Sequence, residues 1–390
     1  MPLPLYYNWR NLLRRKFSTV LTFIVVAVLV LVLSVLSSFA AGIRASLAAS
    51  GSDRNIMVLK PGATAESTSL MLQEEVARLN QTPDVARDAE GRLLISPELC
   101  VQTSLPRLGE NGAVANVAVR GVDDVALAVH RELRLIEGRR MEQGQLEIMV
   151  GKAARDRYAN LQMNGEISLG RLSNRVFRVV GVFEAAGGAL ESEIWAPRSI
   201  LSDAYGRRFI SSVVIRLADV ADAAGAIAYI AGPAVELEAK KETAYYHELS
   251  SKTREIVILT SVLVGIMAIG AAFAVANTMF AAVDGRRREI AMLRTIGFSK
   301  SSIVAAFLVE SMLICTTACL AGLAMSLAIN GVRQDFLSDT TWTVLAYELT
   351  ITPRNVAAAL ATALAVGVAG ALAPAVKASR TRVIEALRKA

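Results

Sequence analysis

Four apolar runs dominate the chain, at residues 17–41, 256–283, 303–330 and 355–376, each long enough to cross a hydrocarbon core of ~30 Å at ~1.5 Å per helical residue. Their placement is uneven. About two hundred residues of mixed pattern separate the first run from the second, whereas only the charged stretch 284–300 separates the second from the third. The pattern divides the chain into a basic leader 1–16, span one 17–43, a polar domain 44–254, span two 255–283, a charged helix 284–300, span three 301–330, a short loop 331–354, span four 355–376 and a tail 377–390.

Inside the polar block, alternation and β-branched residues predict strands at 55–59, 92–95, 114–119, 147–150, 166–169, 175–182 and 212–216. Leu70, Leu72, Val76 and Leu79 have helical spacing over 67–79. The block therefore reads as an α+β domain between spans one and two. Residues 238–255 form a polar helical pattern, and no Pro or Gly interrupts 239–264, so a helix running outward from span two as a stalk is expected; a short amphipathic helix on the outer leaflet is the alternative.

In the charged stretch, Ile290, Met292, Leu293 and Ile296 supply an apolar side while Arg286, Arg287, Arg288, Glu289, Arg294 and Lys300 supply charge, with Gly297 as the stop. A solvated hairpin whose arginines only set topology is the plainer reading. Glu310 lies about two turns inside span three, where an ionised carboxylate costs about 2.5–3.5 kcal/mol, so it needs a partner; Arg14, Arg15 and Arg294 are the candidates. Ala357, Ala361, Ala365, Ala369 and Ala373 recur every four residues in span four, a small-residue face suited to another helix. At the start, Leu5, Trp9, Leu12 and Leu13 share a side between arginines, as in an interfacial helix, and the apolar run that follows exceeds a signal-peptide core.

Composition adds limits. Hydrophobic residues make up 53% of the chain, and the net charge of +7 gathers beside the apolar runs rather than on an aromatic-interleaved surface, so nucleic acid is not the expected partner. Basic flanks place both termini and 284–300 on the cytoplasmic side and the large domain outside. Cys100, Cys315 and Cys319 cannot build a disulfide framework, because two of them sit within span three. Gly151-Lys152 lacks the rest of a P-loop, with Leu146 and Ala153 at the required Gly and Ser/Thr positions. His130 and His247 have no metal-spaced neighbours in sequence, and each reads as a core or surface residue.

The run R-R-E-I-A-M-L-R-T-I-G over 287–297, followed by I-V-A-A-F-L-V-E-S, resembles the region between the second and third membrane helices of MacB/FtsX-like permeases of ABC transporters. The segments V-A-V-R-G-V-D-D, E-I-M-V-G-K-A-A, F-R-V-V-G-V-F-E and I-W-A-P-R-S-I resemble that family's periplasmic core, and P-A-V-K-A-S-R its C-terminus. Two departures are Tyr158-Ala159, where the family has Phe-Gly, and Val383, where it has proline.

The resemblance implies a membrane protein of four transmembrane α-helices plus a large α+β extracytoplasmic domain. It makes Arg286, Arg287, Arg288, Glu289, Met292, Leu293, Arg294, Ile296, Gly297 and Phe298 the coupling helix for an ABC ATPase subunit. ATP and Mg would be bound by two copies of that subunit, with no cofactor in this chain. A second permease copy or a related permease, a periplasmic adaptor, an outer-membrane channel and membrane lipids are the further partners implied, in a bacterial inner membrane. Export of periplasmic or outer-leaflet substrates is the function expected; lipoprotein extraction and FtsX-like regulation of cell-wall hydrolases are the alternatives.

Overall fold

The computed structural model describes residues 16–109, 113–170, 175–252, 254–337 and 344–380. The leader with Trp9, Arg14 and Arg15, the loop residue Trp342, and Val383, Leu387 and Arg388 of the tail lie outside the described residues. With helices of eight or more residues labelled, the order is α1 (Lys16–Ala48), β1 (Asn55–Leu59), β2 (Ile95–Pro106), β3 (Val114–Val122), β4 (Arg134–Gly138), β5 (Glu147–Gly151), β6 (Glu166–Leu169), β7 (Arg175–Glu184), β8 (Ile194–Pro197), α2 (Arg198–Tyr205), β9 (Ser212–Arg216), α3 (Ala223–Ala231) and β10 (Glu238–Lys241). Then follow α4 (Glu242–Lys252), α5 (Arg254–Gly285), α6 (Arg287–Thr295), α7 (Lys300–Leu327), β11 (Arg333–Leu337), β12 (Val344–Glu348) and α8 (Pro353–Ser379).

The chain forms two compact units, one of Met1–Ala41, Arg254–Val332 and Glu348–Ala390, the other of Gly42–Thr253 and Arg333–Tyr347. In the first, α1, α5, α7 and α8 are each long and apolar enough to cross a membrane. Helix α8 packs on both α5 and α7. The close crossings depend on glycine: a Cβ at Gly370 would stand 2.6 Å from the Ala272 carbonyl of α5, and one at Gly322 of α7 would stand 2.6 Å from that of Ala27 in α1. Hydroxyls and one amide tie α1 in place, with Thr22 Oγ1 2.5 Å from Thr278 Oγ1 and Asn355 Nδ2 donating to Ser38 Oγ at 3.2 Å. Small residues and interhelical hydrogen bonds are what hold helices together where burial of apolar surface gives no net drive.

The second unit is built on a ten-stranded sheet in the order β10-β1-β9-β2-β3-β8-β5-β7-β4, with β6 also paired to β7. Pairing is antiparallel except between β3 and β8 and between β5 and β7. One apolar cluster, with Leu99, Val119, Ile148, Phe177 and Val179, packs under β2, β3, β5 and β7; another, with Ile56, Val58, Val213, Ile215 and Ile230, packs under β1 and β9.

Besides β4, β8, α2 and α3, which the pattern does not predict, the predicted elements differ from the observed ones in three places. The first is the 92–95 strand, which begins at Ile95 and runs to Pro106, through Pro97; a proline lacks the N–H of a ladder partner and hides the strand from pattern reading. In 67–79, only Gln73–Ala77 is α-helical, between 3-10 turns, with Leu70 and Leu72 exposed and Val76 and Leu79 buried. Third, 238–255 is not one helix: Glu238–Lys241 pairs antiparallel with Leu59–Ile56 as an edge strand, and α4 starts at Glu242. Its Tyr245, Tyr246 and Leu249 are buried in the sheet domain, so α4 is part of that domain's packing. Between spans three and four, β11 and β12 form a two-stranded sheet.

Charge is buried in the middle of this apolar sheet. Arg120 of β3 donates through Nη1 and Nη2 to Glu66 at 2.7 and 2.9 Å, through Nε and Nη2 to Glu193 at 2.7 and 2.9 Å, and through Nη1 to Glu98 at 2.6 Å. Burial alone would raise the Glu98 carboxyl, but His130 and Arg120 beside it hold it down at about 2. Burial dominates at Glu193, whose carboxyl is pushed up despite Arg120.

Candidate functional site

The corner between α5 and α7 is short because each turn in it is chemically specified. Helix α6 closes with a Schellman motif: Phe298 N–H donates to the Leu293 carbonyl at 3.1 Å, Gly297 N–H to that of Arg294 at 3.3 Å, and Gly297 has φ +103°, a region open to glycine. Two residues on, Ser299 caps α7, its Oγ accepting from Ser302 N–H at 3.2 Å.

Glu310 is 3% exposed and accepts from Arg286 twice, Nη1 to Oε2 at 2.9 Å and Nη2 to Oε1 at 3.2 Å. Among the described residues Glu310 is thus gripped by Arg286, not Arg294, and Arg286 turns inward rather than joining an exposed coupling surface. The fork shape of the guanidinium suits such a bidentate grip. The pair fastens the start of α6 to α7, ten residues and ~15 Å along the helix from Lys300. Sequence reading misses the pair because it groups Arg286 with the charged face of the amphipathic stretch; the signal is an arginine at the very end of a span facing a lone intramembrane acid.

The rest of α6 separates into two apolar sides. At 100° per residue Met292 stands about 200° from Ile290, so the four apolar residues cannot share one face. Ile290 and Ala291 are buried, Leu293 and Phe298 half-buried, while Met292 and Ile296 are 52% and 75% exposed. Arg287 and Arg288 are exposed beside them and Glu289 is half-buried; Arg287 pairs with Asp284 at 2.8 Å. Lys377 of α8 lies 3.8 Å from the same Asp284 and over the Phe280 ring at 5.1 Å. The result is a basic face with two bare apolar side chains, on a helix whose other side is fixed.

Ala361, Ala365 and Ala369, with Ala357 and Ala373, are exposed. The packed side of α8 is instead Ala359, Ala363, Val366, Gly367, Gly370 and Ala371, so among the described residues no helix of this chain covers the alanine stripe.

The family model for the MacB-like periplasmic core domain matches residues 19–232, more than half of the chain, and that for the FtsX-like permease C-terminal region matches residues 261–383. The chain belongs to the MacB/FtsX-like permeases. This makes it a multi-pass membrane protein of the permease class of ABC transporters, with an α/β periplasmic core between its first and second spans. Among curated relatives, the macrolide export ATP-binding/permease protein MacB 1/2 of Paracoccus denitrificans is 25% identical over 334 residues, 82% of this chain and 47% of the relative. MacB of Mannheimia succiniciproducens is 29% identical over 227 residues, 56% of this chain and 34% of the relative. The chain therefore spans less than half the length of the MacB relatives it matches. Among solved structures, the periplasmic region of MacB from Actinobacillus actinomycetemcomitans aligns at TM-score 0.37 and 12% identity, covering 53% of this chain and 97% of that one. The extracellular domain of YknZ from Gram-positive bacteria aligns at TM-score 0.33 and 14% identity, covering 44% and 88%.

Proposed function

We propose that this permease is driven by a separate ABC ATPase that docks on α6 and that it passes the resulting motion to its extracytoplasmic domain, in export of periplasmic or outer-leaflet substrates. The observation that carries the reading is the state of α6: Met292, Ile296, Arg287 and Arg288 exposed on one side, and the Arg286–Glu310 pair gripping the other. A helix that receives force needs both a surface for the motor and a stiff link to a span; bare apolar side chains ringed by charge form such a surface. The relatives' names join an ATP-binding part to a permease part, which supports an ATPase partner here. In this reading two ATPase copies bind two permeases, ATP and Mg stay in the ATPases, α6 and both termini face the cytoplasm across a bacterial inner membrane, and an adaptor and outer-membrane channel extend the path. The exposed alanine stripe of α8 supports a second permease.

The test is ATPase stimulation by the purified permease in lipid nanodiscs. Met292→Asp with Ile296→Asp is expected to lower stimulation about tenfold, the loss of ~1.4 kcal/mol or more of docking energy, without lowering yield of the folded chain. Stimulation equal to wild type would sink the reading. An outer-domain pulldown that returns a cell-wall hydrolase instead of an adaptor would replace export with regulation.

A further inference from the structure

Three ligand-type side chains converge inside the sheet domain. His130 and Glu132 stand in the connection between β3 and β4, and Glu242 is the first residue of α4. His130 Nδ1 lies 3.2 Å from Glu132 Oε1 and 3.8 Å from Glu242 Oε1, and the three atoms all fall within 4.8 Å of one another. Bonds of ~2.1 Å to a tetrahedral zinc place ligand atoms ~3.4 Å apart, within the range of these separations.

Two further observations point to an ion rather than a chance meeting of acids. Glu242 is 0% exposed, and its Oε1, aimed at His130, accepts no hydrogen bond; its other oxygen is held by Ser52 N–H and Asn55 Nδ2, both at 2.9 Å. A buried carboxylate oxygen left bare costs about 1–3 kcal/mol or more, which a cation would recover. The second is the other edge of the imidazole. Nε2 is 2.8 Å from Glu98 Oε1, a carboxylate placed to accept from Nε2–H when Nδ1 holds an ion, the carboxylate–histidine–metal arrangement.

Local charge agrees. Arg216 donates from Nη1 to Asn55 Oδ1 and to the Val129 carbonyl, both at 3.1 Å, and hydrogen-bonds neither Glu132 nor Glu242. Arg120 is taken up by Glu66, Glu98 and Glu193. Apart from His130 itself, no cationic side chain among the described residues is hydrogen-bonded or ion-paired to Glu132 or Glu242. Glu132, 19% exposed at its side chain, provides the way in.

We propose that His130, Glu132 and Glu242 bind one divalent transition-metal ion of the zinc class, which pins the root of α4 to the β3–β4 connection. One nitrogen and two carboxylate donors suit zinc or manganese over calcium and magnesium, which prefer all-oxygen shells. Chain reading finds no such site because Glu242 is far from His130 in sequence and joins it only when β10 pairs with β1.

The test uses the full chain in detergent, stripped with a chelator, equilibrated with Zn²⁺ alone, desalted and analysed for metal. Wild type is expected to retain about one zinc per chain and to melt at a higher temperature with zinc than without. Glu132→Gln keeps shape at a partly exposed position and so keeps the fold, and it is expected to weaken zinc binding about tenfold or more. His130→Gln and Glu242→Gln should abolish retention. A wild-type chain that retains no zinc and whose melting is unmoved overturns the proposal in favour of an ion-free imidazolium among carboxylates. Equal retention by wild type and Glu132→Gln overturns it too, since the metal then sits elsewhere.

Discussion

Arg286 in the helical unit and Arg120 in the sheet domain are each gripped in bidentate fashion by glutamate, but the settings differ. Among the described residues Arg286 pairs with one acid, Glu310, and keeps 11% of its side chain exposed; Arg120 has Glu66, Glu98 and Glu193 and keeps 2%. The helices satisfy their own backbone and need the ion pair only to fix one corner. The sheet domain instead ties residues from separate parts of the chain through a shared cation, and each acid there depends on the same arginine. A pair can lose one member and let the other turn toward water; a shared network cannot.

That contrast orders the expected effects. The largest is Arg120→Met, which strands buried carboxylates and is expected to cost about 3–5 kcal/mol or to prevent folding of the sheet domain, read by protease resistance and melting. Replacement that left stability untouched would break the comparison. Glu310→Ala should follow at about 2–3 kcal/mol, seen mainly as reduced folded yield, because Arg286 retains a route to solvent. Full yield with lost transport activity would instead give Glu310 a working role. Gly370→Val, which drives a side chain into the Ala272 carbonyl, should cost about 1–3 kcal/mol and loosen α8 from α5, measurable by cysteine cross-linking across that crossing. The smallest effect on the fold belongs to Ala365→Leu with Ala369→Leu, within about 0.5 kcal/mol for the single chain because the stripe is exposed. Association between permeases should fall; an unchanged oligomer by mass measurement in lipid would remove the stripe from the interface.

The legible parts share a cause. Four spans, the Gly297 stop and the strands at Asn55–Leu59, Glu166–Leu169 and Ser212–Arg216 depend on neighbours within a few residues, and sequence shows those directly. The strand at Glu238–Lys241 was hidden because its composition is that of an exposed helix and only pairing with β1 makes it a strand. Met292 and Ile296 were read with Ile290 as one side, although helical geometry alone separates them.

Sequence by itself determined the membrane class, the order of spans and domain, and the placement of a basic helix between spans two and three, since hydrophobic length and charge are summed locally along the chain. Tertiary structure alone decided which arginine meets Glu310, which side of α8 is packed, and that His130 meets Glu242. Those are choices among partners distant in sequence, fixed by the crossing of helices at glycine and the register of strands, and neither is written in any short stretch of residues.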